Sequence, residues 1–475
     1  MEKNLIFSYF VDLCFTKNIY IRAFSILCQP QLSKTHVEGW FDELEEEYLS
    51  ERGEKILRRL NREGILPSPY NFAAYNSPSI DEHIVHDSTL REGEQTPGVV
   101  FSIEDKLRSA KKLDEMGIQQ IESGFPAASE KQRKCIEALV NMNLDAQISA
   151  FARAKHEDID AVADTGADGV VVSFSVSHYH RKHKFHDMTQ EEYLDKLTDS
   201  ISYADSYGLF VIYSAEDATR ENDLNFLKKA FKTAEEAGTD RARIVDTLGC
   251  ISPGGMAYLV REVKKVIDIP IEIHCHNDLG LALANSMAAV EAGASTVSSS
   301  VNGLGERAGI AATEEVVPAL HILFGMSRFE MKQLTELTKL VEDVTGIRVP
   351  PHKPITGKNA TAHGSGIHQH GVFMNPATYE FYPPELVGQK RKVYIDELCG
   401  RHGILYIAEN ELGMNISENV AEKVLSKIKT SFSHEGRRSA YTPSELKELI
   451  MEIQGVDVYG TDNNRKNSGE HFSQQ

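Results

Sequence analysis

The sequence contains no run of 18 apolar residues, so a membrane-spanning helix is not expected. It contains no CxxC pair either. Its six cysteines (Cys14, Cys28, Cys135, Cys250, Cys275 and Cys399) are scattered. That scatter argues against a disulfide framework and for a reducing, cytoplasmic setting. Positive charge is in deficit. With 51 Lys and Arg against 70 Asp and Glu the net charge is −19, which speaks against nucleic acid or an anionic membrane as the main partner. A glycine-rich phosphate turn is missing as well. The first turn reads STLREGEQTPG, so an open doubly wound sheet lacks its usual mark. Phe7 to Phe15 is apolar but broken by Asp12, and no small-residue cleavage site comes after it. A secretory signal therefore fits poorly. Residues 1–35 read as either an organelle-targeting segment or a disordered one.

The 475 residues present are enough for one large barrel plus additional elements. Residues 36–66 have helical spacing and sit in an N-terminal extension, 1–80. From residue 84 short apolar runs alternate with amphipathic stretches. The runs are 84–87, 119–125, 145–151, 169–176, 210–216, 242–247, 271–278 and 295–301. The stretches between them, such as 103–117 and 194–208, end near a glycine, as helices often do. Eight strand–helix units predict a closed (β/α)8 TIM barrel over 81–325, in preference to the open sheet. The rhythm stops after 325. A helical stretch at 329–346, a Pro-, Gly- and His-rich loop and more helical sequence predict a smaller helical subdomain over 326–460. Residues 461–475 are polar and expected to be disordered.

A barrel of this kind carries its chemistry where the strands end. Arg91 and Glu92 come after the first run, Glu216 ends the fifth, Thr247 the sixth, and His274 and His276 the seventh. In a strand, residues i and i+2 point the same way. His274 and His276 can thus chelate a divalent ion while Cys275 points away, and Glu92 is the candidate carboxylate. Zn, Mn, Mg, Co or Fe would all suit such a site. The plainer alternative is a pair of hydrogen-bonded barrel histidines, with Arg91 and Glu92 as an internal salt bridge.

LREGEQ (90–95), followed after ten intervening residues by Lys106, resembles the first signature of the 2-isopropylmalate and homocitrate synthases. IHCHNDLGLALANS (273–286) resembles their second. GFPAAS (124–129), SAEDATR (214–220), DTLG (246–249), GLGERAG (303–309) and GSGIHQHGV (364–372) match in the same order. This resemblance to the DRE-TIM metallolyase superfamily spans about 84–385. It implies a barrel, a divalent metal, acetyl-CoA as acyl donor, a 2-oxo acid as acceptor, and a Claisen condensation with subsequent thioester hydrolysis. It also implies roles. Arg91 would contact the keto oxygen and Thr247 the acceptor carboxylate. His368 would reach the neighbouring subunit's site, making the enzyme a homodimer, with Glu216 and Tyr379 in support.

The acceptor is left open by clues that conflict. Ile310 stands after GERAG where isopropylmalate-type enzymes usually carry Asn. Phe151 stands near where homocitrate-type enzymes tend to have a histidine, which suits a less polar acceptor or plain core packing. SHYHRKHKFH (177–186) is basic, and its Ser177, His180 and Lys184 resemble isopropylmalate-type spacing. His180 is therefore a substrate-binding candidate. Citramalate and phosphonomethylmalate synthases are the near alternatives, and an HMG-CoA lyase-like carbon–carbon lyase is the alternative class. A long leucine-sensing domain is not expected in the roughly 90 residues beyond Tyr379.

Overall fold

The computed structural model describes residues 49–72 and 84–455. The chain divides into two units after Ser50, and the second, Glu51–Gln475, holds every element described below. Residues 1–35, the first part of the expected 36–66 helix (36–48) and the 461–475 tail lie outside the described residues.

In chain order the elements are α1 (Glu51–Arg62), β1 (Ile84–Asp87), α2 (Ile103–Glu115), β2 (Gln120–Glu122), α3 (Glu130–Val140), β3 (Gln147–Arg153), α4 (His156–Ala163), β4 (Gly169–Ser175), α5 (His178–His183), α6 (Gln190–Asp205), β5 (Phe210–Glu216), α7 (Leu224–Glu236), β6 (Arg241–Asp246), α8 (Pro253–Val263), β7 (Ile271–Cys275), α9 (Ala282–Glu291), β8 (Thr296–Ser299), α10 (Thr313–Phe324) and α11 (Leu334–Thr345). The remaining elements are β9 (Ala362–His363), α12 (Gly366–Met374), β10 (Lys392–Val393), α13 (Arg401–Asn410), α14 (Glu418–Ser433) and α15 (Pro443–Gln454).

Strands β1 to β8 are all parallel and close into a barrel, with β1 hydrogen-bonded to β8. All eight expected strand runs are strands. The central ones are apolar on both faces, as parallel strands covered by helices must be: Val170, Val171 and Val172 are fully buried. Several helices start on side-chain caps. Ser102 with Asp105 and Thr189 with Glu192 form reciprocal capping boxes that satisfy first-turn N–H groups. Each such cap contributes about 1 kcal/mol.

Beyond the barrel, β9 and β10 pair in parallel and α13 to α15 pack around Ile395, Ile404, Val424, Ile428 and Leu446. Two segments differ from the sequence expectation. The basic stretch after β4 contains a short helix, α5, capped by Ser177. The Gly- and His-rich loop contains α12, so His368 stands on a helix. Gly366 and Gly371 lower helix propensity and concealed it. Both are there for close packing. A Cβ on Gly366 would stand 2.8 Å from Gly400 N, and one on Gly371 would stand 2.5 Å from the Tyr379 ring. Among the described residues no helix is long and apolar enough to cross a membrane.

Candidate active site

The strand alternation that builds the barrel also lines its interior. Gln120 and Glu122 on β2, Arg241 and Arg243 on β6, Glu272 and His274 on β7, and Thr296 and Ser298 on β8 are buried polar pairs at i and i+2. The charged ones form ion pairs with one another. Arg243 reaches Glu272 at 2.7 Å and Glu122 at 3.2 Å, and Arg241 reaches Glu272 at 3.3 Å. Burial alone would raise the Glu122 and Glu272 carboxyls. For Glu122, Arg91 and Arg243 overturn that, and for Glu272, Arg243 and His86 do. Both stay well below the usual carboxylate range.

At the C-terminal mouth Glu92, His274 and His276 converge. One ligand atom from each lies within 4.8 Å of the others, and all three residues are buried. His276 Nε2 is 3.9 Å from Glu92 Oε1. Burial lowers the basicity of both imidazoles, and for His274 the neighbouring His276 and Arg91 add to it. They are therefore neutral at pH 7, which is the ligand form. His274 Nδ1 meets Ser298 Oγ at 2.9 Å across the β7–β8 pairing, leaving Nε2 for an ion. His276 Nδ1 is buried with no hydrogen-bond partner among the described residues. The Cys275 thiol faces the other way and bonds Ser286 on α9. The 303–309 loop cradles the acid. Glu306 N–H donates to Glu92 Oε1 at 3.2 Å, and a Cβ on Gly305 would press to 3.0 Å from the same carboxylate. Two neutral imidazoles and one carboxylate with room beside them fit a divalent ion.

Arg91 is held on three sides. Its Nε and one terminal nitrogen fork onto Glu122 at 2.7 and 3.1 Å, and the other bonds Glu92 and, at 3.1 Å, Gln95. These contacts use four of its five N–H donors and leave one for a ligand in the cavity that Arg91 lines. The guanidinium lies 5.2 Å from the centroid of the Phe151 ring, which Phe125 meets edge-on.

A cavity of about 460 Å³ opens here. Arg91, Glu92, Phe151, Glu216, Thr247, His274 and His276 all line it, so the structure brings seven of the candidates together. Glu216 is bonded by Ser175 and by Lys184 at 2.9 Å. Thr247 Oγ1 accepts from the Asp217 N–H at 2.8 Å. His180 does not line the cavity. It sits behind Glu216, 3.5 Å away. His368 and Tyr379 are also outside this lining. They stack on each other with ring centroids 4.0 Å apart, and both are exposed. Ile310, beside His276 in a β-bridge, is buried and brings no polar group to the ion site.

Sequence reasoning missed Glu122, Arg243 and Ser298. Their signal was present: Gln120 and Glu122, Arg241 and Arg243, and Thr296 and Ser298 each flank one apolar residue within a strand.

Fold and donor set together define the class, a TIM-barrel enzyme with a candidate divalent-metal site at its mouth. Residues 83–341 match the HMGL-like family model, and residues 355–435 match the homocitrate synthase post-HMGL domain-like model. The chain is 44% identical over 390 residues to homocitrate synthase AksA of Methanopyrus kandleri, covering 82% of this chain and 97% of that protein. It is 42% identical over 379 residues to 2-isopropylmalate synthase of Methanocaldococcus jannaschii, covering 79% and 72%. Among solved structures, the HMG-CoA lyase of Bacillus subtilis aligns with a TM-score of 0.52 at 20% identity, over 58% of this chain and 97% of that one, a likeness of fold alone. This chain belongs to the HMGL-like family, and it carries the module found in homocitrate synthases.

Proposed function

We propose that this protein condenses acetyl-CoA with a 2-oxo acid and then hydrolyses the thioester. The enzyme is an acyltransferase of the homocitrate and 2-isopropylmalate synthase type, the kind its relatives are named for. The observation that carries the reading is the convergence of Glu92, His274 and His276 beside the remaining N–H of Arg91, at the mouth of one cavity.

Glu92, His274 and His276 would hold a divalent ion, which when bound would supply Lewis-acid chemistry to the acceptor. Arg91 donates to the keto oxygen and steadies charge developing on it. Thr247 presents its hydroxyl to the acceptor carboxylate. Phe151 forms the apolar wall along the acceptor's side chain.

A proton must leave the acetyl methyl group, and it is weakly acidic, so the base must be held in place. Glu216, fixed by Lys184 and Ser175, handles protons from this chain, with His180 behind it. His368 and Tyr379 complete the set from a second subunit of a homodimer. Their mutual stacking and exposure, away from their own chain's cavity, support that placement.

The test is release of free CoA from acetyl-CoA with a panel of small, branched apolar and dicarboxylic 2-oxo acids. One acceptor is expected to stand out. No release with any acceptor, or cleavage of an acyl-CoA without condensation, overturns the reading.

A further inference from the structure

The buried charges beneath the mouth form a chain that ends at the ion site. It starts at Glu272, which receives Arg243 at 2.7 Å. Arg243 passes a second bond to Glu122 Oε2 at 3.2 Å. Glu122 in turn takes the Arg91 fork at 2.7 and 3.1 Å, and Arg91 bonds Glu92. Glu272 and Glu122 are fully buried and Arg243 is 1% exposed, so little water screens these contacts.

Glu122 is the weak point of this chain. It sits on β2, which has only three residues and is the shortest strand of the barrel. Its side chain is hydrogen-bonded by Ser88 at 3.0 Å, by Arg91 and by Arg243. Ser88 is neutral, and Arg91 is the group to be positioned. Arg243 is therefore the one cation among these three that can pin the carboxylate from below. Without it the neutral Ser88 hydroxyl is the remaining one of these three to hold Glu122 against movement with Arg91. A shift of about 1 Å in a group that contacts the reacting oxygen can cost about 100-fold in rate.

We infer that Arg243 is a positioning residue for the condensation: through Glu122 it fixes the guanidinium of Arg91 against the carboxylate of Glu92. It acts at one remove, since the keto oxygen is met by Arg91. The inference rests on the proposed role of Arg91.

Arg243→Lys keeps the buried charge but loses the two-pronged reach. Arg243→Met/Glu272→Gln removes one charge of each sign; Glu122 keeps Arg91, while Arg241 loses Glu272 and keeps its bond to Gln120. Both are expected to fold, the double variant at a lower melting temperature because Arg241 loses its carboxylate, and to bind metal at wild-type stoichiometry. Their kcat should fall by roughly 10- to 100-fold while KM for the 2-oxo acid moves by less than about threefold, the pattern of an interaction made in the transition state. Crystal structures of the two variants should show the Arg91 fork displaced from Glu122. A wild-type kcat in a folded variant overturns the inference. So does an Arg91 found in place, a loss of kcat that merely tracks loss of metal, or failure of both variants to fold, which marks a structural role. If the wild-type protein itself releases no CoA, the proposed function fails. The position of Arg91 in the variant structures still decides this inference.

Discussion

Ser298→Ala is the sharpest probe of the ion site, because it leaves all three ligands in place. Ser298 is fully buried on β8, opposite His274 in the strand register, and its Oγ lies 2.9 Å from His274 Nδ1. With an ion on Nε2, the proton sits on Nδ1 and donates to Ser298 Oγ, so the contact supports the ligand tautomer. In the alanine variant Nδ1–H loses its partner in a site that water does not reach. An unsatisfied buried donor costs about 1–3 kcal/mol. The imidazole can escape that cost by moving its proton to Nε2, the atom that should ligate. Either route weakens the ion's hold. Supporting contacts of this kind are worth roughly 10- to 100-fold in metal affinity, or about 1.4–2.7 kcal/mol. The assay is competition against a fluorescent chelator, together with CoA release as a function of metal concentration. Affinity should fall while the rate at saturating metal recovers most of its wild-type value. A Ser298→Ala protein with wild-type metal affinity refutes the assignment of Nε2 as the ligand atom.

Asp87 gives a pH-dependent prediction: burial pushes its carboxyl from 3.8 up to about 6 despite hydrogen bonds from Thr313 and Thr89. A raised folded value means the stability it contributes is full below pH 4 and is lost as pH rises through 6, up to roughly 3 kcal/mol. Asp87→Asn should therefore gain melting temperature over wild type from pH 4.5 to 7, and a gap independent of pH would contradict this. Gly371→Ala should push Tyr379 off the His368 ring and lower kcat by about 10-fold at constant metal content, since a Cβ there meets the ring at 2.5 Å. Unchanged turnover would dismiss the stacked pair. His368→Ala and His274→Ala should each be inactive alone, and mixing them under subunit exchange should restore activity if sites are shared. No recovery in verified mixed dimers would place His368 elsewhere.

The barrel was legible because its signal is local. Eight apolar runs at regular spacing, joined by helical stretches that end at glycine, leave few other folds open. His274 and His276 were legible for the same reason, since the pleat alone puts residues two apart on one side. Glu92 could be joined to them only through the barrel, and α12 was hidden by glycines whose purpose is a contact with Gly400 and Tyr379.

The sequence by itself determined the strand and helix order, the family motifs and the residue types that meet at the strand ends. Only the tertiary structure decided which charges pair inside the barrel, that Ser298 rather than a carboxylate holds His274, and that His368 and Tyr379 stack outside their own cavity. The physical reason is that propensity and alternation act between near neighbours along the chain. The Glu272–Arg243–Glu122–Arg91 chain instead joins four strands or loops, and its partners are fixed only when barrel closure buries them together with no water to take their place.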